Sequence, residues 1–144
     1  AKLIIYTRAS VDRDLIRGFE GVDVEIRGGL SDAALASDMK QCDLIALPSI
    51  AEGFGLVILE AMACGVPVLC TTSTGGADFI HHRQNGLLIE PGSAEAIRQE
   101  LDWALTRRDE LFQIGQAARV EAEKHTWAEY RRKFFAACLA SLRA

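Results

Sequence analysis

The chain has 144 residues, with 16 Lys and Arg against 20 Asp and Glu and a formal net charge of −4 at pH 7. That length supplies one domain with a core of its own and excludes any need for metal or disulfide staples, while 49% hydrophobic and 25% charged residues exclude a disordered tail. The acidic, sign-mixed surface excludes a general nucleic-acid binder, and no apolar run reaches the ~18 residues of a membrane span. The opening AKLIIYTRAS lacks the apolar region and cleavage site of a signal peptide. A single cytoplasmic domain over 1–144 is therefore expected, with no nucleic-acid partner.

Short apolar runs alternate with helical spacing over the first 90 residues. Leu3-Ile4-Ile5-Tyr6 reads as a strand, and Leu15, Ile16 and Phe19 give residues 12–19 a helical face. Val22 to Ile26 alternates as a half-covered or edge strand does, and Gly28-Gly29 ends it. Ser31-Asp32 caps a helix to about Gln41, and the third strand, Leu44 to Leu47, stops at Pro48. A helix over 54–64 is expected to be buried on most sides, with Gly65 closing it.

Val66 to Thr71 is a strand with Pro67 at its start, Gly75-Gly76 opens a short helix, and Asn85-Gly86 turns into Leu87-Leu88-Ile89. From Ser93 the chain reads as helix only. Ile97, Leu101, Ala104 and Leu105 form one stripe, and Leu111, Ile114, Ala118 and Ala122 form a second. A capping box of Thr126 and Glu129 opens a last helix with Trp127, Tyr130, Phe134 and Cys138 on one face. The expected fold is α/β: a Rossmann-like parallel sheet of about five strands, helices on both faces, and three C-terminal helices.

Cys42, Cys64, Cys70 and Cys138 show no CxxC spacing and read as small buried hydrophobes. His81, His82 and His125 are not spaced as ligands, so no metal is expected.

The chemistry concentrates in PSIAEGFGLVILEAMACG, residues 48–65. Glu52 falls in the loop after a strand and Glu60 in the following helix, where an open parallel sheet binds its ligands. Gly53-Phe54-Gly55 lets the backbone approach a ligand, and the N–H groups of Gly55, Leu56 and Val57 stand at a positive helix terminus. An anion on the amides and hydroxyls on the carboxylates would suit a phosphorylated sugar. A solvated Glu60 is the bland alternative, but its apolar neighbours make a buried carboxylate costly unless it is paired or functional.

EGFGLVILEAMACGVPVLCT resembles the donor-binding signature of retaining glycosyltransferases of family 4, which have the GT-B fold, and every fixed position of that pattern is present. CDLIALPS, NGLLIEPGS and HTWAEYRRKF resemble the flanking strands and the final helix of the same domain. The resemblance implies a domain that binds a nucleotide-diphosphate sugar for hexosyl-type transfer with retention. In it Glu52 lies beside the donor sugar as a catalytic participant, and Glu60 holds the ribose hydroxyls. Gly53 and the amides of Phe54, Gly55 and Leu56 face sugar and diphosphate, while Gly29 and Leu30 line the base pocket. No metal or other cofactor is implied, since the nucleotide-sugar is a substrate.

The family's first β-α unit, with the Arg and Lys that neutralise the diphosphate, is not identifiable, and Arg8 and Arg13 do not match it by position. The N-terminal acceptor domain is also missing from the pattern, so this chain alone is expected to be inactive in transfer. Asp78 stands where the family usually has Glu. The implied partners are the nucleotide-sugar and the acceptor domain, and membrane association of the parent enzyme stays open. An apolar first strand left at a sheet edge favours a homodimer through that edge. The main alternative is a non-catalytic nucleotide-binding fragment. A dehydrogenase would need G-x-G-x-x-G after the first strand, and a receiver domain would need aspartates clustered at strand ends; neither is present.

Overall fold

The computed structural model describes residues 2–7 and 21–142, which fall into two compact units, residues 1–37 and 38–144. The helix expected over 12–19 lies outside the described residues, as do Arg8 and Arg13.

In the first unit, β1 (Lys2–Tyr6) and β2 (Asp23–Arg27) pair in parallel, with Ile4 opposite Glu25 and Ile5 opposite Ile26. Burial in β2 does not follow the alternation read from the sequence: Val24 and Glu25 are half-buried while Ile26, on the same face as Val24, is exposed, because this strand is only lightly covered. Charge helps to hold the pair. The Arg27 guanidinium forks onto Glu25 at 2.7 and 3.0 Å, and Lys2 Nζ reaches the same carboxylate at 2.7 Å.

The Arg27 hydrogen bonds, followed by that of Lys2, pull the Glu25 carboxyl from an ordinary 4.5 down to about 2. A depressed acid stabilises the fold above its unfolded value, so the contribution is complete above 4.5 and is lost as pH falls toward 2. The Glu25 carboxyl carbon should titrate near 2 by NMR, and Arg27→Met should move its midpoint back up. An ordinary midpoint in the unaltered chain would remove the ion pair from the account.

Helix α1 (Asp32–Met39) begins as expected, with Ser31 Oγ accepting from the Ala34 N–H at 3.4 Å. It stops two residues short of the expected Gln41, because the Gln41 and Cys42 amides turn back onto Asp38 and Met39 in tighter i−3 bonds.

The second unit contains β3 (Ile45–Leu47), β4 (Val68–Thr71) and β5 (Leu87–Ile89), parallel throughout, in the order β3-β4-β5. The five expected strands are thus present in two parallel ladders, of two and of three strands. β4 is central and wholly buried, which is why it reads as an unbroken apolar run. Helix α2 (Leu56–Ala63) covers it with Ile58, Ala61 and Met62. α2 ends in a Schellman motif: the Val66 N–H bonds Ala61 O, the Gly65 N–H bonds Met62 O, and Gly65 takes φ +77.

Helix α3 (Ala94–Thr106) is capped by Ser93, and α4 (Arg108–Ala122) buries Leu111, Ile114, Ala118 and Ala122, the stripe read from the sequence. Gly115 lets α4 settle on the α2–β4 turn, since a Cβ there would stand 3.0 Å from Pro67 Cδ and closer still to the Gly65 carbonyl.

Three expectations need correction. In α3, Ala104 is buried but Leu101 and Leu105 are exposed, because only one edge of the helix meets the core. Of the cysteines only Cys70 is buried: Cys42 and Cys64 sit half-buried at helix ends, and Cys138 is exposed. The third concerns the cap of helix α5 (Trp127–Ser141), a helix that buries no residue and is capped by Thr126 at 3.2 Å. Its Glu129 pairs with Arg132 instead of returning to Thr126, so the capping box is half formed.

Candidate functional site

Two loops of the second unit meet at the carboxyl end of the β3-β4-β5 sheet. The first runs from Pro48, directly after β3, to Gly55, the N-cap of α2. Gly55 adopts φ 77, ψ 58 with no side-chain cap. This left-handed turn delays the helix to Leu56, two residues later than the spacing suggests. The Ile58 N–H bonds Gly55 O at 2.9 Å, and the Leu56 and Val57 amides precede any intrahelical acceptor. They point outward with the helix dipole behind them.

Both carboxylates of the motif belong to this segment. Glu52 is exposed, and its Oε1 accepts from the Gly53 N–H at 3.1 Å. Glu60 lies one turn into α2, on the exposed stripe with Leu56 and Ala63. The expectation of an apolar setting for Glu60 is therefore corrected. The helix is buried on its other sides, and this carboxylate pays no desolvation cost; it makes no side-chain hydrogen bond or ion pair among the described residues. Its availability to a ligand, and not its burial, is what marks it. Phe54 and Leu56 are also exposed, at 42% and 50%, which leaves apolar surface beside the free amides.

The second loop follows β4; the sequence reading places a short helix at Gly75-Gly76 and notes Asp78 but gives the loop no part in the site. Thr71 Oγ1 donates to Ser49 O at 2.6 Å, and the Gly75 N–H donates to Phe54 O at 3.0 Å. Thr74 Oγ1 donates to Thr71 O at 2.8 Å and accepts from the Gly76 N–H at 3.3 Å. Asp78 ends the 3-10 turn Gly75–Asp78 and is exposed. The signal was the run TTSTGG, hydroxyls and glycines directly after a strand.

Gly29 and Leu30 lie in the first unit. Gly29 has φ +67 with open space around it, and Leu30 is half-buried before α1. Among the described residues no cluster of three or more His, Cys, Asp or Glu could hold a metal ion. No described helix is long and apolar enough to cross a membrane.

A family model described as "Glycosyl transferases group 1" matches residues 19–121. The chain belongs to this family. Sulfoquinovosyl transferase SQD2 of Arabidopsis thaliana is 36% identical over 117 residues, covering 79% of this chain but 23% of that protein. The Anabaena protein Alr3699/HepE, solved in complex with UDP-glucose, matches 97% of this group 1 chain and 40% of its own, with a TM-score of 0.75 and 25% identity. The C-terminal domain of a glycosyl transferase group 1 family protein from Francisella tularensis matches 78% of the chain and 58% of its own, with a TM-score of 0.68 and 26% identity. The group 1 chain thus has the α/β architecture of the C-terminal half of a GT-B glycosyltransferase. It spans about a quarter of the length of SQD2.

Proposed function

We propose that this chain is the donor-binding half of a retaining, family 4-like glycosyltransferase that takes a nucleotide-diphosphate sugar. The observation that carries the reading is the β3–α2 segment. Free amides at Leu56 and Val57, an exposed Glu60 one turn along the helix, and an exposed Glu52 before it all lie in one stretch. The binding of UDP-glucose by the structural neighbour from Anabaena supports the same ligand class.

In this reading the diphosphate lies on the amides of Phe54, Gly55 and Leu56, where the helix terminus favours negative charge. Gly53 lets the sugar approach, and Glu60 accepts hydrogen bonds from the ribose hydroxyls. Glu52 stands beside the anomeric carbon, where a carboxylate stabilises the positive charge that develops as the leaving diphosphate departs. No metal or other cofactor is assigned a part.

Transfer itself belongs to the longer protein, with the acceptor bound by a second domain. The exposed apolar face of α5, with Trp127, Tyr130 and Phe134, is where we dock that domain. The four free thiols suit a reducing, cytoplasmic site of action. Without the acceptor domain, the half-exposed Leu3 of β1 favours a homodimer through that strand's edge, to be checked by light scattering.

Calorimetric titration of the chain with UDP-glucose, GDP-mannose and ADP-glucose tests the donor reading. One of the three should bind with a 1:1 stoichiometry, with no sugar released onto acceptors. Absence of binding by all three at millimolar concentration would overturn it. Sugar transfer by this polypeptide alone would overturn the division of labour.

A further inference from the structure

Resting on the donor-site reading, we propose that Thr71 and Gly75 are positioning residues, a brace that holds the β3–α2 loop in its donor-binding shape. The brace grips that loop at two points, Ser49 and Phe54, which lie on either side of Glu52. Between the grips the loop makes its own turn, and the Glu52 side chain stays exposed.

Each grip has a physical reason. The β3–β4 ladder ends at the Leu47–Cys70 pair, because the Thr71 carbonyl that a further rung would use turns to Thr74 instead. The Thr71 hydroxyl continues it by bonding the Ser49 carbonyl at 2.6 Å. Thr71 is 1% exposed, so that hydroxyl has no water to turn to. At the other grip Gly75 lies against Phe54 so closely that a Cβ would come within 2.6 Å of both Phe54 O and Phe54 Cδ2. Any side chain at 75 would push Phe54, and the amides that follow it, outward.

The brace is itself locked. Thr74 binds the Thr71 carbonyl through both its amide, at 3.1 Å, and its hydroxyl, at 2.8 Å. Ile58, fully buried, fills the space behind: its Cδ1 would be the neighbour of a Cβ at Gly55 (3.2 Å) and of one at Gly76 (3.3 Å). The Gly55 turn and the brace therefore share one core side chain, and a shift in either is passed to the first amides of α2.

Three readouts on the chain test this. Thr71→Val keeps shape and strands the Ser49 carbonyl, and should weaken UDP binding about tenfold. Thr71→Ser should restore it. Weakening should be greater for UDP than for UMP, since the loop faces the diphosphate, whereas a general loss of folding would lower both alike. In amide exchange without ligand, the Gly75 and Ile58 amides, bonded to Phe54 O and Gly55 O, should speed up about tenfold in Thr71→Val while α4 amides stay unchanged. Unchanged exchange at Gly75 and Ile58, or equal loss for UDP and UMP, overturns the proposal.

If Thr71→Val does not fold, the unaltered chain decides: its Gly75 amide should exchange well below the free-chain rate, and exchange at that rate overturns the brace. An unaltered chain that binds no nucleotide but shows the exchange pattern counts against the donor reading alone.

Discussion

Glu60→Gln should lower affinity for a nucleotide-diphosphate sugar by roughly tenfold to a hundredfold, the scale of charged hydrogen bonds worth ~1.5–3 kcal/mol. It should leave the unfolding midpoint nearly unchanged. The separation follows from where the side chain stands. Glu60 is exposed and makes no side-chain hydrogen bond among the described residues, so the folded chain loses no internal contact when its charge is removed. Surface changes of that kind stay within about ±0.5 kcal/mol of stability. A ribose held by two carboxylate oxygens loses one acceptor and the charge on both. Calorimetry against the nucleotide-sugar that binds the unaltered chain, paired with a urea melt, reads both quantities. Unchanged affinity would make Glu60 an ordinary solvated helix position. Lost affinity together with lost stability would make it a structural residue.

Most of the scaffold around that residue was legible in the sequence because its signals are local. Parallel strands buried on both faces must be continuous apolar runs, and VLCT of β4 is one. Helix ends leave unpaired N–H groups, so Ser31, Ser93 and Thr126 announce their helices, and Gly65 announces a stop. Burial of individual side chains was harder to read. The apolar neighbours of Glu60 suggested an enclosed carboxylate, yet α2 turns Leu56, Glu60 and Ala63 to solvent as one stripe. The aromatic face of α5, set by its helical spacing, is open in this chain. The Thr71–Ser49 and Gly75–Phe54 bonds join residues about twenty apart in sequence, and no window along the chain can show such a pairing.

The two glycines of Gly53-Phe54-Gly55 look equivalent in sequence, and the structure separates them. Gly55→Ala should destabilise the chain by about 1–3 kcal/mol and weaken donor binding, whereas Gly53→Ala should leave stability within about 0.5 kcal/mol. Gly55 holds φ +77, which costs an L-residue about 1–2 kcal/mol. A Cβ there would also crowd Leu47 Cδ2 at 3.1 Å, Ile58 Cδ1 at 3.2 Å and Glu52 Cγ at 3.3 Å. Leu47 and Ile58 are packed in place, so the methyl can be accommodated only by moving Glu52 or by unwinding the first turn of α2. Either movement displaces a group assigned to the donor. Gly53 does not share this conformation: its φ is not positive, and a Cβ would meet nothing within 4 Å. To the fold it contributes an N–H to Glu52 Oε1, which alanine retains. Urea midpoints and nucleotide-sugar titrations on the two variants side by side make the comparison. Equal urea midpoints for the two would mean that the left-handed turn at Gly55 does not set the site, and that the amides at the start of α2 reach the donor from a different backbone shape.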